Sequence, residues 1–427
     1  MLEDANANVA LEQRRQAACA RGVGVQTQVF TASARNAEIW DVTGRRLIDF
    51  GSGIAVLATG HRHPRIVAAV QQQLDSFHHT CFQVTPYESY IALCERLNAL
   101  TPGNFPKKTA LFTTGAEAVE NAIKVAKVAT GRSAVIAFSG AFHGRTLMGM
   151  ALTGKVHPYK AGFGAMPADV WHVPFPAQAL GVTVDDSIAA IEKLFKADVD
   201  PKRVAAIIIE PVQGEGGFYI APAALFRALR AICDAHGILL IVDEVQTGFG
   251  RTGKRFALEH MGVQADLITM AKSLAGGFPL SALTGRAELM DAAPPGGLGG
   301  TYAGHPLAVA AALAVIDVME DEQLAARAQL LGQALMQALS ALQVRVPELA
   351  EVRGLGAMVA AEFKDPASGA PLAARAKRIQ ELALERGLLL LTCGVNANAI
   401  RFLFPLTIEQ EVFEEGLAIL AEVIVAA

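Results

Sequence analysis

Cysteine is scarce in this chain and never grouped. Five residues, Cys19, Cys81, Cys94, Cys233 and Cys393, are scattered over 427, odd in number and never in a CxxC pair. That spacing argues against a disulfide framework and against a metal centre, and leaves reduced thiols of a cytoplasmic protein. Long apolar runs are missing too. The longest, Leu307 to Ile316, is halted by Asp317 and is too short to span a bilayer, so no membrane partner is expected. The chain opens Met-Leu-Glu-Asp, without the basic segment and apolar core of a signal peptide. Charge of one sign is nowhere concentrated: 37 Lys and Arg face 41 Asp and Glu, for a formal net charge of −4. A nucleic-acid partner would need a basic face, and the sequence offers none. No Gly-x-Gly-x-x-Gly follows the early strands, which speaks against a dinucleotide-binding dehydrogenase. Repeats and low-complexity segments are absent.

What is present is apolar material in a strand-and-helix rhythm. Apolar residues make up 52%, enough for a large core and more than one domain. Residues 8–21 read as a short amphipathic helix, residues 38–50 as a hairpin about Thr43-Gly44, and 65–77 as a helix. From residue 108 the rhythm sets in. Residues 110–114 form a strand, and 115–130 a helix closed by Gly131, with Val119, Ala122, Ile123 and Ala126 on one face. Strands follow at 135–138, 205–209 and 238–242, the last two separated by a helix over 223–236. Continuous Val/Ile/Leu strands alternating with helices mean a mainly parallel sheet covered on both faces, an α/β fold. A helix from Pro306 runs toward Glu322. A second α/β cluster holds 352–363, a helix over 373–386 closed by Gly387, strands at 388–391 and 400–404, and a final helix opened by a capping box at Thr407–Gln410. A domain boundary falls near residue 325.

One stretch organises the chemistry. Leu267-Ile-Thr-Met-Ala271 is a short buried strand that delivers Lys272 into a Gly276-Gly277 loop. Lysine is rarely buried without a partner. An amine held there loses solvation, its pKa falls, and it becomes a nucleophile for carbonyl carbon. Pyridoxal 5'-phosphate (PLP), whose aldehyde forms a Schiff base with lysine, is the cofactor that uses such a group. It demands an acid for the pyridine nitrogen, a phosphate cradle and flat side chains against the ring.

Candidates for each stand at strand ends, where open α/β sheets bind ligands. Asp243 ends an apolar strand, where a carboxylate is costly unless paired, and a protonated pyridine nitrogen is an apt partner. Val245, two residues on, points to the same side and can press on a ring face, and Gln246 can bond a ring hydroxyl. Metal binding by Asp243-Glu244 lacks a third ligand at suitable spacing. Thr114-Gly115-Ala116 joins strand to helix, where free N–H groups suit a phosphate; tight turning alone would also explain the glycine. Ser139 to Thr146 places Phe142, His143 and Arg145 in one loop. Phe142 is a stacking ring or ordinary core, His143 a ligand or, as we favour, a hydrogen-bonded structural residue, and Arg145 a carboxylate fork. Glu210 and Glu215 share a glycine-rich loop, facing a substrate or bonded to loop N–H groups. Gly296 to Gly304, containing Thr301, is a second anion cradle or a flexible loop. Arg401 is a lone charge among apolar neighbours, paired to a carboxylate or facing substrate.

Together these stretches resemble the class III, fold-type I PLP-dependent aminotransferases across essentially the whole chain. The resemblance is carried by Gly53-Ile-Ala-Val, Thr59-Gly-His-Arg-His-Pro, Thr80-Cys-Phe-Gln-Val, Phe142-His-Gly-Arg-Thr, Ala151-Leu-Thr-Gly-Lys-Val, Glu210-Pro-Val-Gln-Gly-Glu-Gly-Gly, Asp243-Glu-Val-Gln-Thr-Gly and Gly299-Gly-Thr-Tyr-Ala-Gly. It implies a large domain (61–325) with a mainly parallel seven-stranded sheet, and a smaller α/β domain built from 1–60 and 326–427. It implies that Lys272 and Asp243 are catalytic and that Gly115, Ala116, Phe142, His143, Val245, Gln246 and Thr301 join them around PLP, Thr301 from the other subunit of a dimer or dimer of dimers. Ala116, Phe142 and His305 stand where serine, tyrosine and asparagine are usual. Ile54, Arg145, Glu215 and Arg401 would line the substrate pocket, with Arg145 on the distal carboxylate, Arg401 on the α-carboxylate of glutamate, and Glu215 as its counter-ion. Thr80-Cys-Phe-Gln-Val favours the 4-aminobutyrate branch. The expected reaction is transfer from 4-aminobutyrate to 2-oxoglutarate, giving succinate semialdehyde and glutamate, with 5-aminovalerate or another ω-amine as the alternative donor. A cofactor-lacking binding protein would have to lose Lys272, which is present.

Overall fold

The computed structural model of the chain describes residues 6–427, so the Met-Leu-Glu-Asp start lies outside them. Its centre is a seven-stranded sheet of β1 (Lys107–Phe112), β2 (Ala134–Phe138), β3 (Val170–Val173), β4 (Val204–Ile209), β5 (Leu239–Asp243), β6 (Leu267–Met270) and β7 (Ser281–Arg286). They lie side by side in the order β1-β7-β6-β5-β4-β2-β3. β7 runs antiparallel to β6 and β1, and every other pair is parallel. The sheet is therefore mainly parallel, as the continuous apolar strands required.

Alternation along each strand splits the core into two layers. Val135 and Ala137 of β2, Ile208 of β4 and Ile241 of β5 pack with Val119, Ala122 and Ile123 of α1 (Gly115–Thr130). Ile136 and Phe138, Ile207 and Ile209, and Val242 face the other way, toward Leu225, Phe226 and Leu229 of α2 (Ala223–His236). Period 2 along the strands meets period 3.6 along the helices. α1 opens on a reciprocal capping box between Thr114 and Glu117 and closes at Gly131, whose φ of 66° is left-handed. Residues 113 and 114 leave the strand to make that cap, so β1 ends earlier than its apolar reading suggested.

A separate buried cluster joins Ala37, Ile48, Phe50 and Ala58 to residues between Val318 and Ile424. The expected hairpin forms from Glu38–Asp41 and Arg46–Asp49. Four points differ from the sequence reading. A 20-residue helix, Leu324–Gln343, lies between the helix from Pro306 and the second α/β cluster, burying Leu324, Ala328, Leu331, Leu335, Leu339 and Leu342 at helical spacing. Residues 352–363 belong to a hairpin of Leu349–Leu355 and Met358–Phe363. The run 388–391 is split between two sheets, Leu388–Leu389 pairing with Arg46–Asp49 and Leu391–Cys393 with Ala399–Phe402. The last helix, Gln410–Ala426, has Glu409 at its N-cap and no side-chain cap. Thr407 is drawn away because its hydroxyl donates to Asn36 Oδ1 at 2.6 Å.

Candidate active site

The carboxyl ends of β1, β2, β4, β5 and β6 open onto a cavity of about 650 Å³. Gly115, Ala116, Phe142, His143, Arg145, Glu215, Asp243, Val245, Gln246 and Lys272 all line it. These residues are separated by up to 157 positions in sequence (272 − 115), and the parallel sheet brings them together.

Asp243 ends β5 and is 4% exposed. Its Oδ2 lies 2.7 Å from His143 Nδ1, and its Oδ1 accepts from the Val245 N–H and the Thr269 hydroxyl, each at 3.0 Å. Parallel pairing sets Thr269 directly opposite Asp243. Burial opposes charge on His143, yet the Asp243 carboxylate outweighs it and holds the imidazole above its ordinary pKa. His143 is thus hydrogen-bonded through its Nδ1. Its Nε2 is buried without a partner among the described residues.

Glu210, at the end of β4, accepts from the Phe142 N–H at 2.9 Å and the Gly214 N–H at 3.1 Å. It pins two loops together. Burial pushes its carboxyl up to about 7, the nearby His143 opposing and Asp243 adding to the shift. Gln246 lies so close to the next turn that a Cβ at residue 214 would meet its Oε1 at 2.3 Å, which is why glycine stands there. That Oε1 also lacks a partner among the described residues.

Lys272 follows β6 with a φ of 48°, a left-handed conformation unusual for a lysine, in a tight turn over Lys272–Ala275 closed by Gly276. It keeps some access to the cavity and is otherwise enclosed by protein. Desolvation lowers its pKa, with Glu215 pulling the other way and Arg401 reinforcing the drop. At the mouth of α1, a Cβ on Gly115 would meet Val245 Cγ1 at 3.0 Å. The cap uses the Glu117 N–H, so the Gly115 and Ala116 N–H groups, unpartnered among the described residues, remain available to an anion.

Arg401 and Glu215 form a buried ion pair, Nη1 to Oε1 at 2.5 Å. Desolvation opposes both charges, but each holds the other ionised: Glu215 falls below the usual carboxylate range and Arg401 rises. Arg401 does not line the cavity itself; it sits behind Glu215. Arg145 is exposed at the rim. Ile54, 44% exposed, and Thr301, also exposed, lie outside the cavity of a single chain.

Sequence reading missed Thr269 and Tyr159. A hydroxyl inside a buried strand needs a partner, and that need was a usable signal for Thr269. Tyr159 donates to Glu215 Oε2 at 3.3 Å across 56 positions, and nothing local announces it.

A lysine beside an acid, an anion-ready helix and a counter-ionised arginine invite comparison with known proteins. Residues 19–424 match the family model described as aminotransferase class-III. The chain belongs to the class-III aminotransferases. This aminotransferase is 56% identical to a 5-aminovalerate aminotransferase of Pseudomonas putida, over 97% of this chain and 98% of that one. It is 54% identical to a 4-aminobutyrate aminotransferase of Escherichia coli, over 98% of both. Among solved structures, the ornithine aminotransferase of Toxoplasma gondii superposes with a TM-score of 0.87 at 29% identity, covering 98% and 95%. An amine transaminase from an uncultivated Pseudomonas species, solved in its PLP-bound form, gives 0.87 at 29% identity, covering 96% and 98%. The aminotransferase thus has the fold-type I architecture. No helix among its described residues is long and apolar enough to cross a membrane, and no group of three or more His, Cys, Asp or Glu among them could hold a metal ion.

Proposed function

We propose that this aminotransferase binds PLP and moves the amino group of an ω-amino acid, 4-aminobutyrate, to 2-oxoglutarate, giving succinate semialdehyde and glutamate. The residues fit the cofactor on the chain's own geometry. A phosphate matches the two spare N–H groups of α1, a ring hydroxyl matches the orphaned Gln246 Oε1, and a protonated ring nitrogen matches Asp243. Phe142 and Val245 both line the cavity and would press on the two faces of the ring. When bound, PLP supplies an aldehyde for covalent capture of amines and an electron sink. Lys272, its pKa lowered by burial, would hold the cofactor through its amine and would carry the proton to and from the substrate carbon. Asp243, oriented by His143 and Thr269, keeps the ring nitrogen charged.

The observation that carries the substrate reading is the Arg401–Glu215 pair beside an open Arg145. An ω-amino acid has one carboxylate, far from its amine; glutamate has a second one beside it. Arg145 serves the distal carboxylate of both. Arg401 serves only the α-carboxylate of glutamate, and Glu215 neutralises it when the donor has none. 5-Aminovalerate is the second donor reading, favoured by the names of two Pseudomonas relatives at 56% identity. We infer that the enzyme is a cytoplasmic homodimer or dimer of dimers in which Thr301 reaches the partner's cofactor. Supporting this, Thr301 and Ile54 are exposed and line no part of their own chain's cavity, and Tyr302 is 62% exposed. The test is a panel of half-reactions, PLP-loaded enzyme with 4-aminobutyrate, 5-aminovalerate or 2-aminoadipate, and the pyridoxamine-phosphate form with 2-oxoglutarate. Fastest turnover of an ω-amine supports the reading; fastest turnover of an α-amino acid donor that lacks an ω-amine would replace it.

A further inference from the structure

We propose that Tyr159 is a positioning residue that couples the two guanidinium sites, its hydroxyl holding Glu215 on Arg401 and its ring holding Arg145. The inference rests on the substrate reading above. Tyr159 is 8% exposed and sits between the two sites. Glu215 uses its two carboxylate oxygens separately: Oε1 accepts from Arg401, and Oε2 accepts from the Tyr159 hydroxyl at 3.3 Å. The Arg145 guanidinium stands 5.0 Å from the Tyr159 ring centroid, within reach of a cation–π contact. Phe142 supports the same ring, centroids 4.8 Å apart and planes inclined by 55°.

The segment before Tyr159 grips Glu215 a second time. Lys155 donates to the Gly394 carbonyl at 2.9 Å, and the Gly394 N–H donates to the Glu215 carbonyl at 3.0 Å. Carboxylate and main chain of Glu215 are thus both tied to residues 155–159. Burial, with the Glu215 charge, raises the phenol to about 12, against opposing Arg145 and Arg401, so at any working pH it is a neutral donor.

These contacts give Tyr159 an asymmetric job. A donor with one carboxylate needs Glu215 kept on Arg401, and the hydroxyl favours that state. Glutamate and 2-oxoglutarate must separate the pair to seat an α-carboxylate, and the hydroxyl resists them. Tyr159→Phe keeps the ring under Arg145 and removes only the tether. It should therefore move the two half-reactions in opposite directions, which a residue serving only the fold would not do. Tyr159→Leu removes the ring as well, and both halves should weaken.

The experiment is single-turnover kinetics of wild type and both variants, PLP-loaded with 4-aminobutyrate and in the pyridoxamine-phosphate form with 2-oxoglutarate. Tyr159→Phe should slow the 4-aminobutyrate half by roughly 3- to 10-fold and tighten apparent 2-oxoglutarate binding by a similar factor, as expected for losing one ordinary hydrogen bond, since this one is long at 3.3 Å. Equal slowing of both halves, or no change in either, would overturn the coupling while leaving the substrate reading intact. If wild type itself runs neither half, the substrate reading fails and takes the coupling with it. Should Tyr159→Leu not fold, the phenylalanine variant alone decides.

Discussion

Glu215→Gln removes one charge from a buried pair while keeping its shape. Arg401 is 5% exposed and its Nε has no partner among the described residues, so Glu215 is its principal compensation. Stranding one member of a buried pair costs about 3–5 kcal/mol. A glutamine oxygen can still accept one neutral hydrogen bond, worth about 1 kcal/mol, which leaves a net cost of about 2–4 kcal/mol. Water reaching the open cavity offsets part of it in the free enzyme. When 4-aminobutyrate enters, water is expelled and no substrate carboxylate replaces Glu215, so the cost falls on that complex. At about 1.4 kcal/mol per tenfold, even the low end of the range slows this half-reaction by roughly 30-fold. 2-Oxoglutarate brings its own α-carboxylate and no longer has a pair to separate, so its half should be unchanged or faster. Stopped-flow single turnovers measure both, on the PLP-loaded variant with 4-aminobutyrate and on its pyridoxamine-phosphate form with 2-oxoglutarate. Equal slowing of the two halves would refute the counter-ion role and make Glu215 scaffolding.

Arg401→Ala should impair the 2-oxoglutarate half far more than the 4-aminobutyrate half, whereas Arg145→Ala should impair both; the same single turnovers distinguish them, and equal loss in both halves for Arg401→Ala would contradict the assignment. Asp243→Asn should keep the fold yet slow turnover on the order of 10²-fold, because a neutral amide no longer stabilises a charged ring nitrogen; a near-wild-type rate would make the acid structural only. Glu210 has a folded pKa raised from 4.5 to about 7 by burial, so the unfolded chain loses its proton first. Its contribution to stability therefore falls as pH rises from 4.5 to 7 and is constant beyond. Urea titrations across that window should show a flatter pH profile for Glu210→Gln than for wild type, and an unchanged slope would mean the carboxyl is ionised throughout.

How much of this was legible depended on whether the signal was local. Asp243 and Lys272 stood out because a charge at the end of an apolar strand needs a reason, and Gly131 because a helix must stop. The helix Leu324–Gln343 escaped because its buried 3.6-residue period was not read. Thr407 carried a convincing cap pattern but was claimed by Asn36, 371 positions away. Tertiary competition for one hydroxyl is invisible in a four-residue motif. Tyr159 and the pairing of Arg401 with Glu215 are likewise long-range, 56 and 186 positions apart. Family resemblance placed the two charges in one pocket; Tyr159 had no such guide.

The most direct test of the central claim is to find which amine holds the cofactor. PLP-loaded protein is reduced with borohydride, digested, and its peptides mapped by mass. The cofactor should be found on Lys272 alone, and Lys272→Ala should retain PLP without covalent capture while turnover falls by at least about 10³-fold, the scale of a lost general acid–base group. Cofactor on another lysine, or full activity in Lys272→Ala, would contradict it.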